Sequence, residues 1–305
     1  MIQQLFDPHN RLFSLVKTGK RQPPIVLAVI LAVIFTFGGQ LIGAFPYAIL
    51  LLLDLLPSGS GALSSALHQL IFFTLTLTPT GILLFFWLML VERRRFSSLG
   101  FEKPGWLMKF GRGLLLGTAL FLGVVLLMAL PGYIQRGTPA PPPALLAVLI
   151  ILPGWILQGS LEEVVLRGWL MPVIGVRSHP WLGVLLSSLL FAILHLLNPA
   201  VTPLAVLNLV LAGLLFALVA LWEGGLWGAC ALHAAWNWTQ GSLLSFPVSG
   251  NLLQGPTWLT LSENGPDLVT GGAFGPEGGM ATTLVYLAAC GVFIYLIQRK
   301  QRNNP

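Results

Sequence analysis

Two adjacent carboxylates, a guanidinium and two imidazoles stand inside apolar stretches of this chain, as Glu162, Glu163, Arg167, His195 and His233. Only 9% of its 305 residues are charged. An ionisable group placed in hydrocarbon costs roughly 2.5 kcal/mol or more, so this grouping points to a buried reaction centre or polar relay. Residues four apart share a helix face, which makes Glu163 and Arg167 neighbours able to pair and brace a site. Glu162 is turned about 100° away. It is expected to keep no partner on its own helix, as a general base working near neutral pH requires. Phe191 and His195 repeat the same spacing, with the phenyl ring placed to fix the imidazole by packing. His233 and Asn237 repeat it again, as two donors aimed in one direction that can steady a developing oxyanion.

The elements that must carry these residues are membrane helices. With 55% hydrophobic residues, the composition is that of a polytopic membrane protein, and a span needs about 20 apolar residues. Eight segments qualify, near 25–53, 63–91, 113–130, 144–172, 181–198, 203–222, 226–246 and 282–297. The expected fold is an all-α bundle of about eight transmembrane helices. It reads as one integral membrane domain over 1–305, with no internal repeat. The first segment is too long for a signal-peptide core and has no clear cleavage site, so it reads as a retained helix. Of 16 Lys and Arg, 14 fall on one side of the eight-span arrangement, leaving Arg136 opposite and Arg167 within a span. By the positive-inside rule this predicts cytoplasmic N- and C-termini and a plasma-membrane address. The net charge of +6 then belongs to the bilayer surface, and no nucleic-acid-binding motif is present.

Other polar and small residues read as scaffold. Cys230 and Cys290 lie in apolar spans without CxxC spacing, as buried, reduced, structural thiols. Gly113 with Gly117, and Gly224 with Gly228, form small-xxx-small steps for close helix packing. His9, His68 and His179 sit near span ends, Glu223 at a solvated turn, and the glycine-rich stretch 265–279 in a mobile outer loop. Depth is the open question. At 1.5 Å per residue from the basic face, Glu162 lies about 15 Å deep, His195 about 21 Å and His233 about 10 Å. Convergence requires helix ends to shift by three or four residues.

The three pairs, in this order on three spans, resemble the motif set of the CAAX protease and bacteriocin-processing family of intramembrane proteases, which includes the type II CAAX prenyl endopeptidases. The family pattern is EExxxR, then FxxxH, then Hxxx followed by Asn or a similar residue. Here it reads Glu162-Glu163-xxx-Arg167, Phe191-xxx-His195 and His233-xxx-Asn237, within a motif-bearing core of about 144–245. The resemblance implies an intramembrane endopeptidase acting on a peptide or protein substrate at the bilayer. Glu162 and His195 would activate water, His233 and Asn237 would hold the oxyanion, and Glu163, Arg167 and Phe191 would support the site.

Three alternatives stay open at this stage. Glu162, His195 and His233 form a three-ligand zinc set with a free position for water, although the HExxH spacing of the zincins is absent. The metal-independent reading is preferred, because His233 and Asn237 then serve as oxyanion donors. A non-catalytic membrane scaffold is the second reading of the whole chain, disfavoured by the intact motif residues. A transporter or proton relay is the third, disfavoured by the lack of repeats or matched broken helices.

Overall fold

A computed structural model describes residues 6–252 and 255–303, and among these the fold is all-α apart from one two-stranded ribbon. Six helices are long and apolar enough to cross a membrane: α2 (Ile25–Leu52), α3 (Ala62–Glu92), α4 (Trp106–Ala129), α5 (Pro142–Arg177), α7 (Pro203–Glu223) and α9 (Met280–Asn303). Two of the eight segments read from the sequence are shorter. These are α6 (Pro180–Leu194) and α8 (Trp227–Trp238), which continues as a π turn over Thr239–Leu243. At about 1.5 Å per residue, the 15 residues of α6 reach only about 22 Å. The two short helices are the ones that carry the histidines.

The short α8 also resolves the depth problem. Its start is recessed far into the bundle: a Cβ on Gly168 of α5 would lie 2.6 Å from the Leu226 side chain, just ahead of Trp227. Gly168 is nine residues, or about 14 Å, from the end of α5. An N-terminal helix α1 (Arg11–Val16) fills the space beneath, with Leu12, Phe13 and Val16 buried. The short 3-10 turn Phe96–Leu99 joins it, and the Gly100 carbonyl accepts from the Leu226 amide at 3.0 Å. Counting inward from the Gly168–Leu226 level, six residues reach Glu162 and seven reach His233. The helices do not all begin at one plane, and α1, packed beneath α8, is what makes the recess stable.

Close packing sets the rest. Side chains on Gly113 and Gly117 of α4 would run into the Gly228 and Leu232 carbonyls of α8, so the first predicted small-residue step brings two backbones together as in other membrane helix pairs. Gly159 does the same between α5 and α8, since a Cβ there would stand 2.8 Å from the Ala234 amide nitrogen. The basic segments meet at one end of the bundle: Arg11 pairs with Glu102, Arg112 with Glu223, and Lys300 donates to the Trp222 carbonyl at 2.9 Å. Glu223 is therefore not solvated, its side chain being 1% exposed. Cys230 and Cys290 are free and buried.

At the other end, β1 (Ile134–Pro139) runs antiparallel to β2 (Leu259–Glu263), with Arg136 opposite Leu261. The glycine-rich 265–279 stretch is folded, not a loose loop. Its short turns bury Gly272, Phe274, Pro276 and Glu277, and the Gly279 and Glu277 carbonyls accept from the Asn208 side chain of α7.

Candidate active site

The motif of α5 sits where that helix changes winding. A π turn spans Val164–Leu170, and Pro172 follows. A proline there has no N–H for the carbonyl one turn earlier, a common cause of a local π bulge. Within the turn Arg167 donates to Glu163 Oε1 at 3.1 Å, and both side chains are 0% exposed. The predicted pair is therefore real and sealed. The guanidinium carbon also lies 4.7 Å from the Phe191 ring centroid and 5.6 Å from that of Phe216, so aromatic faces take the part of the cation that no hydrogen bond reaches. Gly213 leaves the room for it: a Cβ there would be 2.8 Å from Arg167 Nη2.

The same Glu163 Oε1 accepts from His233 Nδ1 at 2.9 Å. His195, at the C-terminal cap of α6, folds its ring back so that Nδ1 lies 2.7 Å from the Phe191 carbonyl. Each imidazole is thus held through Nδ1 by an acceptor, which leaves Nε2 facing the centre. Phe191 packs on His195 with ring centroids 4.6 Å apart, and Phe216 stacks on His233 at the same separation.

Both Nε2 atoms converge on Glu162. Its Oε2 is 4.0 Å from His195 Nε2 and 4.0 Å from His233 Nε2, and accepts no hydrogen bond from a described residue. That gap is too long for direct hydrogen bonds and suits one bridging water. Three distant stretches of chain are therefore brought to one point. Glu162 does have a partner on its own helix, against the sequence expectation: Gln158 donates to its Oε1 at 2.5 Å. Asn237 in turn donates to Gln158 Oε1 at 2.8 Å, so one of its two N–H groups is committed to Gln158 and not to an oxyanion position.

The site lines a cavity of about 470 Å³. Its wall includes Phe72, Phe73 and Trp155 on the apolar side and Gln158, Ser249 and Glu277 among the polar groups. Gln158 was legible in the sequence, lying four residues before Glu162 as Arg167 lies four after Glu163. Phe216, Ser249 and Glu277 carry no spacing signal and are brought in by tertiary structure alone.

Zinc fits this arrangement poorly. Nδ1-anchored histidines are what a metal site uses, but a tetrahedral ion with bonds of about 2.0–2.1 Å holds its ligands about 3.3 Å apart. Among the described residues no group of three or more His, Cys, Asp or Glu is spaced to hold a metal ion.

Residues 143–239 match the family model described as Type II CAAX prenyl endopeptidase Rce1-like. The matched segment runs from the start of α5 to just past Asn237 and contains all three motifs, as the sequence resemblance anticipated. This part of the chain, about a third of its length, is similar to that family, which is one of peptidases. Comparison with the curated proteins and with the solved structures gave no match.

Proposed function

We propose that the protein is an intramembrane endopeptidase that hydrolyses a peptide bond of a membrane-associated substrate by general-base activation of water. The reading rests on one observation above the others: a buried carboxylate oxygen with no donor among the described residues stands 4.0 Å from two imidazole nitrogens whose other nitrogens are fixed by the protein. Water held between Glu162 Oε2 and His195 Nε2 passes a proton to Glu162 as its oxygen attacks the scissile carbonyl carbon. The tetrahedral oxyanion is met by the free N–H of Asn237 and by His233, whose Nε2 donates when the ring is protonated against Glu163. Collapse breaks the C–N bond, and Glu162 returns the proton to the leaving amine. Gln158 holds Glu162 and Asn237 in register, and the Glu163–Arg167 pair holds His233.

With the basic end of the bundle placed at the cytoplasm by the positive-inside rule, both termini are cytoplasmic and the protein resides in the plasma membrane. Purified protein is to be assayed on lipid-anchored peptides with Glu162→Gln and His195→Ala, with and without chelator. Each substitution is expected to lower kcat by at least about 10²-fold, the usual range for removing a general base, and chelator to leave cleavage unchanged. Cleavage unaffected by either substitution refutes the reading. Loss on chelation that zinc restores replaces the water-only mechanism with a metal one.

A further inference from the structure

The cavity that holds Glu162 contains a second carboxylate that the reaction does not use. Glu277 lies in the turn Pro276–Gly278, is 7% exposed, and lines the cavity wall. Its Oε2 accepts from the Ser249 amide at 2.5 Å, the Ser249 hydroxyl at 3.0 Å and the Gln240 side chain at 3.2 Å. Its Oε1 accepts no hydrogen bond from a described residue, on a residue that lines the cavity. No Lys, Arg or His among the described residues pairs with it.

The charge balance of the cavity is one-sided. Its acidic and imidazole lining groups are Glu162, His195, His233 and Glu277, and no Lys or Arg lines it. Arg167 is sealed beneath with Glu163. Even with His233 protonated against Glu163, as the mechanism requires, two carboxylates face one imidazolium that Glu163 already balances, and an excess of one sign focuses its field on the opposite charge. Tyr286 and Trp236, stacked with ring centroids 4.8 Å apart, also line it and add no charge to its wall.

We propose that Glu277 is a specificity residue whose open carboxylate oxygen receives a cationic side chain, lysine or arginine, of the peptide substrate. The proposal rests on the endopeptidase reading for its substrate class. The expected position follows from α8. Gln240, which holds Glu277, is seven residues beyond His233, a rise of about 10 Å. An extended peptide advances about 3.3 Å per residue, so the cationic residue lies within about three residues of the scissile bond.

The test uses the full chain in nanodiscs and lipid-anchored peptides of one sequence. A single lysine is moved through the positions around the cleaved bond and compared at each with norleucine, its neutral near-isostere. At one position lysine is expected to raise kcat/KM about tenfold, as a hydrogen bond to a charged group allows. Glu277→Gln is expected to bring that ratio to about one, and Glu277→Lys to favour glutamate at the same position. If Glu277→Gln does not fold, Glu277→Asp, which withdraws the charge by one methylene, is expected to cut the ratio to about threefold or less. A brace that only holds Ser249 would leave the ratio untouched, and a ratio that survives these changes, or is absent in the wild type, overturns the proposal. Dissociation constants of the lysine and norleucine peptides for the Glu162→Gln protein supply a readout without cleavage. Should no peptide be cut by the wild type, the endopeptidase reading falls by itself. Glu277 is then judged by binding: about tenfold tighter lysine peptide upholds the cation site, and equal affinity removes it.

Discussion

Arg167 offers the sharpest separation of fold from chemistry. Its guanidinium and the Glu163 carboxylate are both 0% exposed and 3.1 Å apart. Arg167→Met leaves that carboxylate buried with only His233 for company, and breaking one partner of a buried pair costs about 3–5 kcal/mol. Replacing both partners by apolar residues of similar volume is often neutral, because two desolvated charges leave together. The double variant Glu163→Leu/Arg167→Met is therefore expected to recover most of the lost stability, to within about 1–2 kcal/mol of the parent. It is not expected to recover activity. Glu163 Oε1 is the acceptor that fixes His233 Nδ1, and losing such an orienting partner typically costs 10–100-fold. The assay pairs reversible unfolding in micelles with cleavage of a lipid-anchored peptide on the same preparations. A double variant as unstable as Arg167→Met, or one that cleaves like the parent, would falsify this division of labour.

Three further outcomes follow from the geometry. Gln158→Leu removes the donor to Glu162 and the acceptor for Asn237 together, and is expected to lower kcat by about 10–100-fold, with Gln158→Glu at least as damaging because like charges then stand at i,i+4; kinetics on the two proteins decide it. Gly159→Val places a side chain against the α8 backbone at Ala234 and is expected to destabilise by about 1–3 kcal/mol, read as a lower unfolding midpoint, whereas an unchanged midpoint would mean that the helices are not in contact there. Glu263, at the end of β2, has its carboxyl pushed up to about 7 by burial and by the neighbouring Asp267. The folded state thus holds a proton that the unfolded chain releases near 4.5, so stability is greatest below that pH and falls as pH rises through 7. The effect is about 1 kcal/mol after allowance for a half-exposed group, and Glu263→Gln is expected to flatten the pH dependence of unfolding.

How much of this was legible in the sequence depends on the range of the interaction. The pairing of Glu163 with Arg167, the stacking of Phe191 on His195 and the close approach at Gly113 and Gly117 are all set by the three- to four-residue periodicity of a helix, and each is found where that periodicity put it. Gln158 obeys the same rule four residues before Glu162, but an uncharged amide stands out less in an apolar run than a charge does. The count of full-length spans was not legible. Hydropathy measures the length of an apolar run, and His195 caps α6 three residues inside the run it belongs to. Glu223 and Glu277 were misjudged for one reason: in sequence each adjoins a turn, and a turn is read as wet. Glu223 is instead dried by Arg112 and the Gly228 amide, and Glu277 by Ser249 and Gln240.

The recessed start of α8 carries a consequence for the whole site. Glu162 and Glu163 are identical residues one position apart on the same helix, and nothing in their own chemistry distinguishes base from brace. The distinction is made by what the 100° between them turns each one toward. Glu163 meets Arg167 and His233 in a space with no exposure, so its charge is spent on orientation. Glu162 meets the cavity, remains 22% exposed, and keeps Oε2 without a hydrogen-bond donor. If α8 began level with the end of α5, His233 would lie about 14 Å lower by the same nine-residue count. Glu163 would then face no imidazole, and Glu162 only one. The six-residue helix α1 and the turn at 96–99 wedge α8 inward, so residues far from the motifs in sequence and at the opposite end of the bundle decide which glutamate is free to act.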